Sequence, residues 1–216
     1  MFEISKSFTF SMAHSVFSQS IDSRLAKGKT PKCRRLPGHG HNYTLVVYLS
    51  AGSLDRSQMV TDFAHLDWLK TFISDYLDHR TMLSFQDPAT EVFLEKMELL
   101  REGTFSLPFD APPLTVLTVD KSYRMSDLSF RQVSFSFLSS FRLVALKWQK
   151  ERASAIQDFY DRLLNGLVFF EHSPTSENLA SFFYHLTTEV FKPLNIRCSK
   201  VSVYETQSSC ATFGER

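Results

Sequence analysis

Along the first fifty residues the apolar positions alternate. Phe8 and Phe10 stand two apart within residues 5–10, the spacing of a strand with one face on a core. In residues 42–49, Tyr43, Leu45, Val47 and Leu49 share one face and Thr44, Val46 and Tyr48 the other. Both faces are fairly apolar, which predicts a strand inside a sheet. Residues 18–31 are polar, contain Gly28 and Pro31 and read as a loop; residues 51–58 read as a turn. The period then changes: Leu66, Leu69, Phe72, Ile73, Tyr76 and Leu77 recur at three and four and predict an amphipathic helix over 63–77.

Beyond Phe85 the pattern is mixed. Residues 91–101 predict a helix stopped at Gly103, Pro112-Pro113 a break, and Leu114–Val119 a short strand. Residues 129–137 alternate again, with Val133, Phe135 and Phe137 on one face. Helical spacing returns over 151–167 through Ile156, Phe159, Tyr160, Leu163, Leu164 and Leu167, with Asn165-Gly166 as a candidate end. Pro174-Thr175-Ser176-Glu177 opens a further helix with the stripe Leu179, Phe182, Phe183, Leu186 and Val190, stopped by Pro193; residues 201–205 form a last strand. Without regular βαβ alternation, this order predicts an α+β fold rather than a doubly wound parallel sheet.

The 216 residues suffice for one fair-sized domain or two small ones, and 21 of them are Phe, which suits a strand-rich core. Lys and Arg number 24 against 23 Asp and Glu, a net charge of +1, which argues against a general nucleic-acid or membrane-surface binder. No apolar run approaches the roughly 20 residues of a membrane span. Met1 to Lys6 lack the basic and apolar regions of a signal peptide. Three cysteines, Cys33, Cys198 and Cys210, form no disulfide framework and suggest a reduced, cytoplasmic protein.

His39-Gly40-His41 is the strongest local chemical signal. Residues two apart on a strand share a face, so two imidazoles become two legs of a metal site. His14, following a predicted strand, is the third candidate; the plainer alternative is surface histidines. Cys33 lies among Lys32, Arg34 and Arg35, and reads as a fourth ligand, a catalytic base or an ordinary loop thiol. Asp78-His79 follows the predicted helix and suits either a proton relay or a histidine favoured by the helix C-terminus. Glu205, at a strand end, can accept two hydrogen bonds from a guanidine-like edge such as that of a pterin, or can simply be solvated. His65, His172 and His185 read as surface or helix-face residues.

Six stretches, taken together, resemble the 6-pyruvoyltetrahydropterin synthase / 6-carboxytetrahydropterin synthase family. They are Phe10-Ser11-Met12-Ala13-His14, Cys33 through Tyr43 (CRRLPGHGHNY), Met59-Val60-Thr61-Asp62-Phe63, Leu77-Asp78-His79, Pro174 through Ala180 (PTSENLA), and Val203-Tyr204-Glu205-Thr206. All occur in the family's order; together they cover residues 1 to about 88 and about 168 to the end.

The resemblance implies a tunnelling fold: a four-stranded antiparallel sheet with helices on one face, assembling into a homo-oligomer, often a hexamer, with sites at subunit interfaces. It implies 7,8-dihydroneopterin triphosphate as substrate and zinc held by His14, His39 and His41. It makes Cys33 the general base, Asp78 and His79 the rest of a proton relay, and Glu205 the pterin anchor with Thr175 and Ser176 nearby. Lys32, Arg34 and Arg35 are near enough in sequence to help hold the triphosphate.

The chain departs from the family in length. Residues 1–216 read as a single domain carrying a folded insertion at about 120–170, with residues 166–170 rivalling Leu114–Val119 as the family strand before the Pro174 helix. Gln58 stands where Gly is common, so a small change in that turn is expected. Five residues separate Cys33 from His39, as in the pyruvoyl-forming branch, whereas the carboxy-forming role is the widespread one in prokaryotes. Two products therefore stay open: 6-carboxy-5,6,7,8-tetrahydropterin, toward queuosine-type deazapurines, and 6-pyruvoyltetrahydropterin, toward biopterin. Cys33 argues against the folate-type branch, which carries Glu there. A non-catalytic pterin- or partner-binding protein and a structural zinc protein are the readings from other classes; the retained histidines, Cys33 and Asp78-His79 speak against the first, and the open ligand position against the second.

Overall fold

The first two strands pair along their full length, and their register organises the rest. In the computed structural model, β1 (Phe2–His14) and β2 (His39–Ala51) are antiparallel, with Phe8 opposite Leu45, Phe10 opposite Tyr43, Met12 opposite His41 and His14 opposite His39. The structure describes residues 1–22, 24, 28–90 and 166–214, together with the backbone of four strands between residues 101 and 149.

After β2 come a 3-10 turn (Phe63–Leu66), helix α1 (Asp67–Tyr76) and β3 (Arg80–Ser84). The four backbone-only strands are β4 (Arg101–Phe105), β5 (Leu114–Val119), β6 (Ser129–Ser134) and β7 (Leu143–Gln149). Then follow β8 (Leu167–Phe170), helix α2 (Ser176–Phe191), β9 (Arg197–Thr206) and β10 (Ser209–Gly214). Among the described residues the sheet runs β10-β9-β2-β1-β3-β8-β7-β6-β5-β4. The segment β10-β9-β2-β1 is the expected antiparallel four-stranded unit; β3 joins β1 and β8 joins β3 in parallel, and the remaining pairs are antiparallel.

Local chemistry explains the helix starts. The Asp62 carboxylate accepts from Ala64 N–H at 2.8 Å and caps the turn that leads into α1. Thr175 caps α2, its hydroxyl accepting from Asn178 N–H at 3.4 Å. Pro193 sits in the 3-10 turn Lys192–Leu194 that closes α2, and Asn195 leaves it at φ 55°. Gln58 adopts φ 61°, a backbone that glycine enters freely; Asp55 holds the turn by accepting from the N–H groups of Ser57 and Met59.

One face of the β1–β2–β9 sheet forms the core. Phe8, Phe10, Met12, Tyr43, Leu45, Val47, Val201 and Val203 are buried against Leu69, Phe72 and Ile73 of α1 and Leu179, Phe182, Phe183, Leu186 and Val190 of α2. Both helices thus cover the same face, as expected. The helix predicted over 91–101 lies outside the described residues except Arg101, which opens β4, and Gly103 is a strand residue rather than a stop. The helix predicted over 151–167 lies outside them up to residue 165; at its predicted end Gly166 is a turn and Leu167 is the first residue of strand β8, paired with Thr81, not the last of a helical stripe. Of the predicted strand 129–137, residues 129–134 are strand and the rest lies outside the description. Leu114–Val119 and Leu167–Phe170 are both strands; the latter neighbours β3 and leads into α2.

Phe182 sits where these elements meet, its ring 6.2 Å from Phe72, 5.7 Å from Phe170 and 5.3 Å from Phe183 between centroids. Phe182→Ala is expected to cost about 3–5 kcal/mol through the cavity it leaves. Urea unfolding checks this; a shift below about 1 kcal/mol would show that α2 does not depend on the cluster.

Candidate metal centre

The apolar ladder of β1 and β2 ends in imidazoles. Period-two alternation puts His14 and Met12 on the core face of β1, and the register brings His39 and His41 beside them. The three rings lie with centroids 4.8 Å (His14–His39), 5.1 Å (His14–His41) and 4.6 Å (His39–His41) apart. Gly38 permits this approach. Its φ is +108°, and a Cβ there would fall 2.5 Å from the His14 carbonyl oxygen.

His14 is almost fully buried. Its Nδ1 donates to the Pro174 carbonyl at 2.7 Å, with the Tyr43 hydroxyl 3.2 Å away. That bond assigns the ring proton to Nδ1 and leaves Nε2 as a bare acceptor, the form a metal ligand takes. His14 Nε2 and His41 Nε2 are both buried with no hydrogen-bond partner. His41 Nε2 lies 3.3 Å from Glu205 Oε1, close enough for charge pairing but outside hydrogen-bond geometry. Burial pushes both imidazoles below their ordinary pKa, outweighing the Pro174 carbonyl and Glu205 at His14 and Glu205 at His41, so both favour the neutral ligand form. Burial also pushes the Tyr43 phenol up.

Two groups of donors share His14. The ligand atoms of His14, Cys33 and His39 lie within 4.8 Å of one another, as do those of His14, His41 and Glu205. Two buried imidazole nitrogens without partners, beside a thiol and a carboxylate, fit a divalent ion that accepts nitrogen, sulfur and oxygen ligands. Cys33 is placed by its loop: its carbonyl accepts from Val16 N–H at 2.7 Å, and Gln19 contacts both its N–H and its sulfur. Glu205, near the end of β9, accepts from Ser176 Oγ at 3.1 Å, so the first turn of α2 meets the site. Thr175 caps that helix.

Asp78 and His79 stand elsewhere. Asp78 accepts from Ser11 N–H at 2.8 Å, its other oxygen is 2.9 Å from His79 Nδ1, and His79 N–H donates to the Ser11 carbonyl at 2.6 Å. Ser11 Oγ donates to Asn42 Oδ1 at 2.9 Å, and alternation turns both side chains to the face opposite His14 and His41. A hollow of about 330 Å³ opens beside them, lined by His79, Ser11, Gly40, Asn42 and Thr81 and touched also by Met12 and His41. Within one chain the Asp78-His79 pair and Cys33 therefore lie on opposite faces of the sheet.

The family model described as 6-pyruvoyl tetrahydropterin synthase matches residues 3–216. The chain belongs to this family. A 6-carboxy-5,6,7,8-tetrahydropterin synthase of Haemophilus influenzae is 35% identical over 114 residues, 50% of this chain and 72% of that protein. A 6-carboxy-5,6,7,8-tetrahydropterin synthase of Aquifex aeolicus is 33% identical over 91 residues, 40% of this chain and 55% of that one. Among solved structures, an uncharacterised protein of Wolinella succinogenes superposes with a TM-score of 0.68 at 27% identity, covering 100% of this chain and 98% of that one. The α+β tunnelling fold expected of the 6-pyruvoyl tetrahydropterin synthase family is the fold described above.

The family motifs contain His14, Cys33, His39, His41, Ser176 and Glu205, which the structure gathers at one end of the core. Gln19 carries no sequence signal, because it lies in a polar loop with no motif; nor does the Pro174 carbonyl, a backbone group invisible to residue patterns. Tyr43 carried a strand pattern but no sign of its contact with His14.

Two outcomes follow. Gly38→Ala is expected to destabilise the fold by about 1–3 kcal/mol and to lower metal retained per chain after dialysis against a chelator; unchanged retention would separate the glycine from the site. At Asp78, partial burial opposes the charge, but the hydrogen bonds from Ser11 N–H and His79 outweigh it and hold the pKa below the usual range. A depressed folded pKa contributes stability above the unfolded pKa and loses it as pH falls through the folded value. Asp78→Asn should therefore flatten the acid limb of a stability–pH profile, and an unchanged limb would count against this contribution.

Proposed function

We propose that the chain is a zinc-dependent lyase acting on 7,8-dihydroneopterin triphosphate, forming 6-carboxy-5,6,7,8-tetrahydropterin with release of acetaldehyde and triphosphate, on the way to queuosine-type deazapurines. The observation that carries the reading is the pair of buried, partnerless nitrogens on His14 and His41 between Cys33 and Glu205. The names of the Haemophilus and Aquifex relatives support the carboxy product. The five residues between Cys33 and His39 favour the second reading, 6-pyruvoyltetrahydropterin formed by triphosphate elimination, toward biopterin.

In this reading His14, His39 and His41 hold the zinc ion. When bound, it supplies Lewis-acid polarisation of the substrate's side-chain oxygens. Glu205 accepts hydrogen bonds from the pterin's 2-amino and N3–H edge, and Ser176 orients that carboxylate while Thr175 fixes the helix turn beside it. Cys33 takes a proton from the side-chain carbon next to the ring. The Asp78-His79 pair, on the far face, serves the site of a neighbouring subunit in a trimer-based or hexameric homo-oligomer. The chain is one domain, with its insertion at about 120–170, and works in the cytoplasm without nucleic acid or membrane. Among the described residues no helix is long and apolar enough to cross a membrane.

The zinc-loaded protein, incubated with 7,8-dihydroneopterin triphosphate, should yield one of the two products by mass spectrometry. Cys33→Ala should keep its zinc and lose about 10²–10⁴-fold in turnover. Zinc content without wild-type turnover would instead favour a binding protein.

A further inference from the structure

The carboxamide of Gln19 meets Cys33 twice. Its Oε1 accepts from Cys33 N–H at 2.9 Å, and its Nε2 donates to Cys33 Sγ at 3.2 Å. The backbone N–H is a donor only, so the amide oxygen must face it and the NH₂ must face the sulfur. Gln19 is itself braced. Its N–H donates to the Val16 carbonyl at 3.0 Å, and Val16 N–H donates to the Cys33 carbonyl at 2.7 Å. Val16 follows His14 by two residues, which ties the brace to the end of β1 that carries a candidate ligand. Ser18 Oγ donates to Ser173 Oγ at 2.9 Å, joining the same turn to the segment whose Pro174 carbonyl holds the His14 ring.

A cysteine in a loop samples three staggered χ1 positions. Here the sulfur lies in a group whose ligand atoms, with those of His14 and His39, fall within 4.8 Å of one another. We propose that Gln19 is a positioning residue for Cys33: its amide holds the main chain and the sulfur together, so that the thiol faces the histidine cluster. This rests on the reading of Cys33 as the base. Misdirection of a reacting group by about 1 Å can cost on the order of 100-fold in rate, so the brace acts on turnover more than on substrate binding.

The test compares Gln19→Ala and Gln19→Glu with wild type in the full chain. Glu keeps the acceptor for Cys33 N–H and removes the donor to sulfur; Ala removes both. Both variants are expected to lose about tenfold or more in kcat with KM within about twofold, at unchanged zinc content. A second readout needs no turnover: alkylation of the apo protein by iodoacetamide, mapped by peptide mass. Cys33 should react at least about threefold faster in Gln19→Ala as its sulfur swings outward, while exposed Cys210 serves as the unchanged standard. Wild-type rates at Cys33 and wild-type kcat in Gln19→Ala would overturn the proposal. Full recovery of kcat in Gln19→Glu would overturn the sulfur contact, because the main-chain tether alone would then suffice. If wild type itself does not turn over, the function proposed above fails, and the alkylation comparison still decides on Gln19.

Discussion

The antiparallel register of β1 and β2 is the constraint on which the rest depends. Because side chains alternate along a strand, a slip by one residue would turn His14 away from His39 and His41 and expose the Phe8 and Phe10 face at the same time. Core and site are therefore specified together. The apolar pairs Phe8/Leu45 and Phe10/Tyr43 bury one face, and that burial holds Met12/His41 and His14/His39 in line beyond it. Burying a large apolar side chain is worth about 1.5–3 kcal/mol, and several such residues enforce this register.

Burial carries a cost that the site uses. His14 and His41, at the end of a hydrophobic core, lose water, which favours their neutral forms. The Pro174 carbonyl satisfies one nitrogen of His14 and leaves the other without a partner. An unpartnered buried polar atom is unfavourable in the ligand-free protein and becomes an asset when a cation takes its lone pair. The segment that leads into α2 brings that carbonyl and the helix supplies Ser176 near Glu205, so one stretch of chain touches both His14 and Glu205.

Much of this was legible in the residues. Alternation in residues 42–49 and helical spacing in 63–77 and 176–190 marked the core face, because each of those elements buries one side. His39-Gly40-His41 on a strand marked the site. β10 escaped notice because Ser209–Gly214 is a mostly exposed edge without alternating apolar residues. β3 is short, and only Met82 and Ser84 are buried in it. The opposite placement of Asp78-His79 was also illegible. A dipeptide after a helix does not state which face of a strand it will meet; that depends on the bonds with Ser11. Gln19 belongs to the same class, since a fold-dependent contact fourteen residues away leaves no local pattern.

The clamp at Ser11 links these two faces mechanically. Asp78 takes its N–H and His79 donates to its carbonyl, so a single residue of β1 is gripped from the β3 side while His14, three positions on, carries the imidazole of the opposite face. A strand held in this way works as a rigid spacer. The histidine cluster and the Asp78-His79 pair are thereby tied to the same few residues of β1. Any assembly that stacks one copy's outer face on another's inner face would inherit that common anchor.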